Sequence, residues 1–191
     1  ELGLHLKDNP IILDLDEYGK SNPAVKMALT RLIHERKMGS YTLHPKSLIF
    51  ATTNLGAEGV GDLLMAHQSN RVTVVRMRKP TNMEWIESFG IPQSLDPSLL
   101  GWCKDNPQLF DTFEDVKDPE NNPYIFHPQA TGRTAFVTPR SLENASNWIS
   151  LRDKLTSNEL TSALIGTIGE RGAMDLMAFV KLADQLPSRQ S

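Results

Sequence analysis

Residues 11–23, IILDLDEYGKSNP, contain two patterns that indicate different kinds of phosphate chemistry. The tripeptide GKS at 19–21 matches the last three positions of the phosphate-binding P-loop, G-x-x-x-x-G-K-[ST]. The residues before it form an apolar run that ends in two adjacent carboxylates, Asp16 and Glu17. The two patterns exclude each other, because the same residues cannot form both a phosphate cradle and an acidic strand end.

The spacing argues against a P-loop at this position. Its first glycine would have to be residue 14, which is Asp14, and two further carboxylates would lie inside the turn. Those carboxylates would repel a triphosphate, and no glycine frees the backbone to wrap it. The GKS match is therefore interpreted as accidental.

The apolar run instead predicts a buried strand. Ligands of open α/β sheets collect at the carboxyl ends of strands, which is where the two carboxylates lie. Asp16 is placed to hold Mg²⁺, and Glu17 is placed to polarise an attacking water. An ordinary strand that runs into an acidic turn stays open as the alternative.

Composition limits the class of protein. The chain has 191 residues, with 39% hydrophobic and 23% charged residues, as in ordinary soluble globular proteins. Its formal net charge of −3 gives no overall basic field, so nucleic acid is not an expected partner. Cys103 is the only cysteine, which excludes a disulfide within the chain. No apolar stretch reaches about 18 residues, so we expect no membrane span and a cytoplasmic location.

The first part of the chain predicts an α/β arrangement. Asn22 as N-cap and Pro23 at the first helical position begin a helix, for which Gly39 is the predicted C-cap. Residues 47–54, SLIFATTN, predict a second buried strand, and residues 71–78, RVTVVRMR, predict a third. The sequence also predicts a hairpin arm at 40–45 and a short helix at 62–69.

Only helices are predicted after Lys79. Thr81, Asp96 and Thr138 are the predicted N-caps of three of them. Residues 105–137 are predicted to be irregular because they are rich in proline and asparagine. The predicted helices span 81–90, 97–104, 138–155, 157–166 and 170–185.

Four polar features occur at the ends of these elements, and their order along the chain is similar to that in the AAA+ ATPases. The individual motifs resemble those of the MoxR branch. Asp16-Glu17 resembles the Walker B motif, and IFATTN at 49–54 resembles the sensor 1 strand, with Asn54 as the sensor. HQSNRVTVV at 67–75 resembles the stretch that carries the arginine finger, which would be Arg71. TPRSLENAS at 138–146 resembles the sensor 2 helix, with Arg140 as the sensor.

The resemblance implies a partial P-loop NTPase (AAA+) core with parallel strands over 1–79 and an all-helical lid over 80–191. It implies an ATPase that uses ATP and Mg²⁺, forms a homo-oligomeric ring and remodels a protein partner. The resemblance implies that Asp16 binds the metal, that Glu17 activates the water and that Asn54 orients its attack. It implies that Arg71 acts in the site of the neighbouring subunit and that Arg140 senses the nucleotide.

Each of the last three residues has an ordinary alternative. Asn54 could cap the loop after its strand, and Arg71 could be a solvated arginine at a strand entry. Arg140 lies in the first turn of a helix, where a cation opposes the helix dipole at a cost of a few tenths of a kcal/mol. A bound phosphate would reverse that sign, since the arginine and the helix amides both attract an anion.

No stretch of this chain is a credible P-loop. Such a strand–loop–helix unit belongs to a βαβ segment of about 30 residues or more, so we expect it upstream of Glu1 and expect this chain alone to be inactive. Its strand would lie between residues 47–53 and 72–77. Two alternatives stay open: a DNA-directed AAA+ motor or loader, and a non-catalytic AAA+-like scaffold.

Overall fold

A computed structural model describes residues 9–53 and 72–185. The chain divides into two compact units, Glu1–Arg76 and Met77–Ser191. The first is a mixed α/β unit with a small parallel sheet, and the regular elements described in the second are all helical. Within these described ranges, no helix combines the length and the apolar character that a membrane span requires.

The parallel sheet consists of two strands, β1 (Ile12–Leu15) and β4 (Leu48–Ala51). They pair in register from Ile12 opposite Leu48 to Leu15 opposite Ala51. Parallel strands need a crossover connection, and here it contains helix α1 (Pro23–Glu35) followed by a hairpin. The prediction that these two strands lie parallel is confirmed, so their carboxyl ends meet at one edge of the sheet.

Helix α1 begins as predicted and ends three residues earlier than predicted. Its N-cap, Asn22, accepts a hydrogen bond from the Val25 amide at 2.9 Å. Arg36, with φ of 56°, takes the left-handed conformation at the C-cap, and its guanidinium donates to the carbonyl of Ser47. Gly39 is therefore not the C-cap. It lies, with φ of 59°, in the turn of the hairpin that follows the helix.

The predicted hairpin is confirmed as two short antiparallel strands, β2 (Lys37–Met38) and β3 (Tyr41–Thr42).

The prediction that β1 and β4 are buried strands is wrong, since one face of the sheet is exposed and the other is at most partly buried. The pairing register places Ile12, Leu48 and Phe50 on the same face, where they are 74%, 58% and 45% exposed. A parallel sheet is normally covered on both faces, and an apolar strand sequence is typical of that arrangement. In the described residues nothing covers this face.

The third predicted strand, 71–78, is also wrong for the part that the structure describes. Residues 72–78 form no strand, and Val74, Val75 and Met77 are exposed. A strand requires a neighbour that satisfies its backbone amides and carbonyls. None of the strands in 9–53 pairs with this segment, so its apolar pattern alone does not produce a strand.

The predicted helices of the second unit are confirmed, with changes at their ends. Helix α2 (Asn82–Trp85) continues as a π-helix over Ile86–Gly90, and it is followed by α3 (Pro97–Asp105). Helix α4 (Pro139–Ile149) stops six residues before its predicted end at 155. Gly169, with φ of 81° and ψ of 164°, breaks α5 (Ser157–Gln185) where the sequence predicts two separate helices.

The second unit has its own apolar core. Leu99, Leu142, Leu164 and Leu176, from α3, α4 and α5, are fully buried. The irregular segment between α3 and α4 contributes further side chains to this core. Arg133 holds the segment together by donating hydrogen bonds to three of its own backbone carbonyls. The helices therefore pack on one another, as their apolar stripes predict.

Side chains at the start of the second unit attach its first residues to the helices. The ammonium group of Lys79 donates to the carbonyl of Asp111 at 2.8 Å and lies 5.9 Å from the centre of the Phe110 ring. Burial lowers the pKa of Lys79, and the nearby Asp111 opposes that shift. Arg78 forms two hydrogen bonds with the carboxylate of Glu84, at 2.7 and 2.5 Å.

Candidate functional site

The carboxyl ends of β1 and β4 form the candidate site. The amide of Thr52 donates to the carbonyl of Leu15 at 3.2 Å, and the amide of Tyr18 donates to the carbonyl of Thr52 at 2.9 Å. The amide of Gly19 donates to the hydroxyl of Thr53 at 3.1 Å. The last residue of β1 and the turn that follows it are therefore attached to the end of β4 by three hydrogen bonds.

The carboxylate of Asp16 has a defined orientation at this edge. Its Oδ1 atom accepts a hydrogen bond from the Thr52 hydroxyl at 2.5 Å and another from the backbone amide of Glu17 at 2.9 Å. Asp16 is nevertheless exposed. It thus combines a fixed orientation with access to solvent, which suits a metal ligand that also contacts water.

Glu17 has an unusual backbone conformation for a residue with a side chain. Its φ of 53° and ψ of 34° lie in the left-handed region, which costs an L-residue about 1–2 kcal/mol. Residues held in such conformations cluster at functional sites, where the surrounding structure maintains the strain. At this position the surrounding hydrogen bonds to Thr52 and Thr53 hold the turn in place.

The carboxylate of Glu17 forms an ion pair with the ammonium group of Lys20. The 3₁₀ turn Tyr18–Lys20 makes this contact possible, because it brings the lysine back over the strand end. Sequence reasoning considered Lys20 only as a P-loop lysine and missed this role. The three-residue spacing between the two opposite charges was the available signal.

Arg140 lies in the second unit, in the first turn of α4. The turn is closed by Thr138, whose hydroxyl accepts a hydrogen bond from the amide of Ser141 at 3.0 Å. Arg140 is exposed, and its guanidinium forms no ion pair with any described residue of the helical unit. It is a cation at a helix start that no ion pair within this part of the chain neutralises.

The predicted sensor Asn54 and the predicted arginine finger Arg71 lie outside the described residues, as does the predicted short helix at 62–69. The structure therefore brings together Asp16 and Glu17 and adds Lys20 and Thr52 to them.

The donor atoms at the strand ends fit Mg²⁺. Magnesium prefers oxygen ligands and is bound through one or two carboxylates, with phosphates and water completing its shell. Asp16 and Glu17 supply such carboxylates. In the part of the chain that the structure describes, no group of three or more His, Cys, Asp or Glu residues could hold a metal ion by itself. Water or phosphate ligands would thus complete the metal shell at a site of this kind.

Protein-family models, curated proteins and solved structures were compared with this chain, and none of them matches it.

Proposed function

We propose that this chain is the C-terminal part of a Mg²⁺-dependent AAA+ ATPase of the MoxR-like branch. The observation that carries the proposal is the carboxylate of Asp16, which is oriented by two hydrogen bonds at the carboxyl edge of a parallel strand pair. The strained conformation of Glu17 directly after it adds support. The order of the polar features along the sequence selects the AAA+ family.

In this proposal the two carboxylates have different tasks. Asp16 holds the metal shell, and Glu17 accepts a hydrogen bond from the attacking water. Bound Mg²⁺ would neutralise charge on the phosphates, since phosphoryl transfer depends on positioning and electrostatic stabilisation. Asn54 orients the water, and Arg71 acts in the site of a neighbouring subunit of the ring.

The helical unit is the lid in this proposal. Arg140 reports the nucleotide to it, because an exposed cation at a helix start attracts a phosphate together with the helix amides. A P-loop supplied by the rest of the protein contacts the β- and γ-phosphates. The ring couples hydrolysis to the remodelling of a protein partner.

The proposal is tested by Glu17→Gln in the protein that carries this chain. ATP binding should be retained, while turnover should fall by about 10²-fold or more, as expected when a positioned base is lost. Glu35→Gln is the matched control, because it removes an exposed carboxylate at the end of α1. Unchanged steady-state hydrolysis in Glu17→Gln would refute the role of Glu17.

Measurements on the unsubstituted protein address the other two functions, the non-catalytic scaffold and the DNA-directed motor or loader. Absence of hydrolysis in the unsubstituted protein would favour the non-catalytic scaffold. Binding of DNA that weakens steeply with added salt would favour the DNA-directed motor or loader.

A further inference from the structure

Thr52 contacts Asp16 across the two strands of the parallel sheet. The two side chains are 36 residues apart in sequence, and the Thr52 hydroxyl oxygen lies 2.5 Å from Oδ1 of Asp16. Hydrogen bonds between a hydroxyl and a carboxylate are charge-assisted, and they are shorter and stronger than neutral ones. Such a bond restricts the rotation of the carboxylate about its own side chain.

The backbone of Thr52 is fixed on both sides of this contact. Its amide donates to Leu15, the residue before Asp16, and its carbonyl accepts from Tyr18, two residues after Asp16. Threonine is also branched at Cβ, so its χ1 angle has few accessible values. The hydroxyl is therefore held at a fixed place relative to the Asp16 carboxylate.

We infer that Thr52 is a positioning residue for Asp16, which it orients for metal binding. The inference rests on the proposed function, in which Asp16 holds the metal shell. Groups that orient a metal ligand through a hydrogen bond typically change metal affinity by 10–100-fold when they are removed. Thr52 acts through Asp16 and is not itself a metal ligand in this inference.

The neighbouring Thr53 offers a matched comparison. Successive side chains of an extended segment point in opposite directions. The hydroxyl of Thr53 accepts a hydrogen bond from the amide of Gly19, whereas the hydroxyl of Thr52 donates to Asp16. Replacing each threonine by valine removes one hydroxyl from the same strand end with nearly the same change of shape.

The experiment measures Mn²⁺ binding in the full protein, using the electron paramagnetic resonance signal of free Mn²⁺ and no nucleotide. Asp16→Asn defines the part of the binding that depends on Asp16. Thr52→Val should weaken that part by about 10-fold or more, while Thr52→Ser and Thr53→Val should stay within about twofold of the unsubstituted protein. Thr52→Ala gives a second measurement if valine disturbs the strand, which the far-ultraviolet circular dichroism of each variant reports.

Three results would overturn the inference. In the first, Thr52→Val and Thr52→Ala bind Mn²⁺ as tightly as the unsubstituted protein. In the second, Thr53→Val weakens binding as much as Thr52→Val does. In both cases the metal role of Asp16 survives and only the role of Thr52 is wrong. If Asp16→Asn itself leaves Mn²⁺ binding unchanged, the metal site of the proposed function is wrong and the role of Thr52 is lost with it.

Discussion

Lys20 places its ammonium group against the carboxylate of Glu17, three residues earlier in the chain. The two side chains are about half exposed, at 41% and 55%. The lysine of the GKS tripeptide therefore contacts a carboxylate of its own turn. Because the lysine has this local partner, the two interpretations of GKS, an accidental match and the end of a P-loop, predict different results for a substitution of Lys20.

The first prediction concerns Lys20→Met. Because an exposed ion pair contributes little, the free energy of unfolding should change by less than about 1 kcal/mol. The affinity of the full protein for ATP should stay within about twofold, as calorimetry would measure. Lys20→Arg, which retains a positive charge beside Glu17, is the control. A loss of ATP binding in Lys20→Met would instead identify Lys20 as a phosphate-binding lysine.

The second prediction concerns two glycines of α5 with opposite environments. A Cβ atom on Gly169 would lie 2.6 Å from the carbonyl oxygen of Ala135, and the residue has φ of 81°. Gly169→Ala should therefore lower the free energy of unfolding by about 1–3 kcal/mol. Gly166 has open space around its Cβ position, so Gly166→Ala should raise the free energy of unfolding by up to about 1 kcal/mol.

Urea denaturation of the two glycine variants measures this difference. All three tryptophans of the chain, Trp85, Trp102 and Trp148, lie in the helical unit, so their fluorescence reports its unfolding. A Gly169→Ala variant at least as stable as the unsubstituted protein would show that the break at Gly169 has no energetic role.

The third prediction is a pH dependence that originates at Glu84. Its hydrogen bonds with Arg78 are the main cause that lowers the pKa of Glu84 to about 2, with a further contribution from the amide of Thr81. A carboxylate whose pKa is lowered by folding stabilises the protein above its unfolded pKa of about 4.3, and this contribution is lost as the pH falls towards 2. The helical unit should lose stability over that range.

Glu84→Gln isolates this contribution. The glutamine oxygen can still accept from the amide of Thr81, while the charge that Arg78 contacts is removed. Between pH 6 and pH 2.5 the stability of Glu84→Gln should fall less than that of the unsubstituted protein, and 0.5 M salt should reduce the difference. Glu87→Gln removes an exposed carboxylate of the same segment and is the control. Equal pH dependence in all three proteins would contradict the prediction.

The fourth prediction concerns Cys103, which is fully buried in the helical core. Burial raises the pKa of its thiol to about 12, so almost no reactive thiolate exists at pH 8. In native buffer a disulfide reagent should therefore label Cys103 far more slowly than in urea. Since it is the only cysteine, labelling would report opening of the helical unit alone. Rapid native labelling would show that α3 is not packed as described.

Local signals were sufficient for several parts of the fold. The caps Asn22, Thr81 and Thr138 were predictable, because a capping side chain bonds to an amide two or three residues later. The break at Gly169 was predictable because glycine readily adopts the positive φ that is found there. In the candidate site, the carboxylates of Asp16 and Glu17 follow directly from the end of an apolar run.

The failures depend on contacts between distant residues. Helix α1 ends at Glu35 because Arg36 reaches the carbonyl of Ser47, a contact that no local pattern encodes. An apolar pattern does not show whether a segment is paired, so residues 71–78 were predicted to be a strand although the neighbouring strand was expected to lie outside this chain. The contribution of Thr52 became visible only with the register of β1 and β4, which determines which hydroxyl meets Asp16.

The contacts of Lys79 and Arg78 define where the helical unit begins. An excised unit that started at residue 80, the predicted domain start, would remove the ammonium group that bonds to the Asp111 carbonyl and the guanidinium that bonds to Glu84. A piece that started at Met77 would keep both. For protein engineering, the start of the helical unit is therefore determined by the side chains of Arg78 and Lys79, which bond to later residues of the unit, and not by the first residue of its first helix.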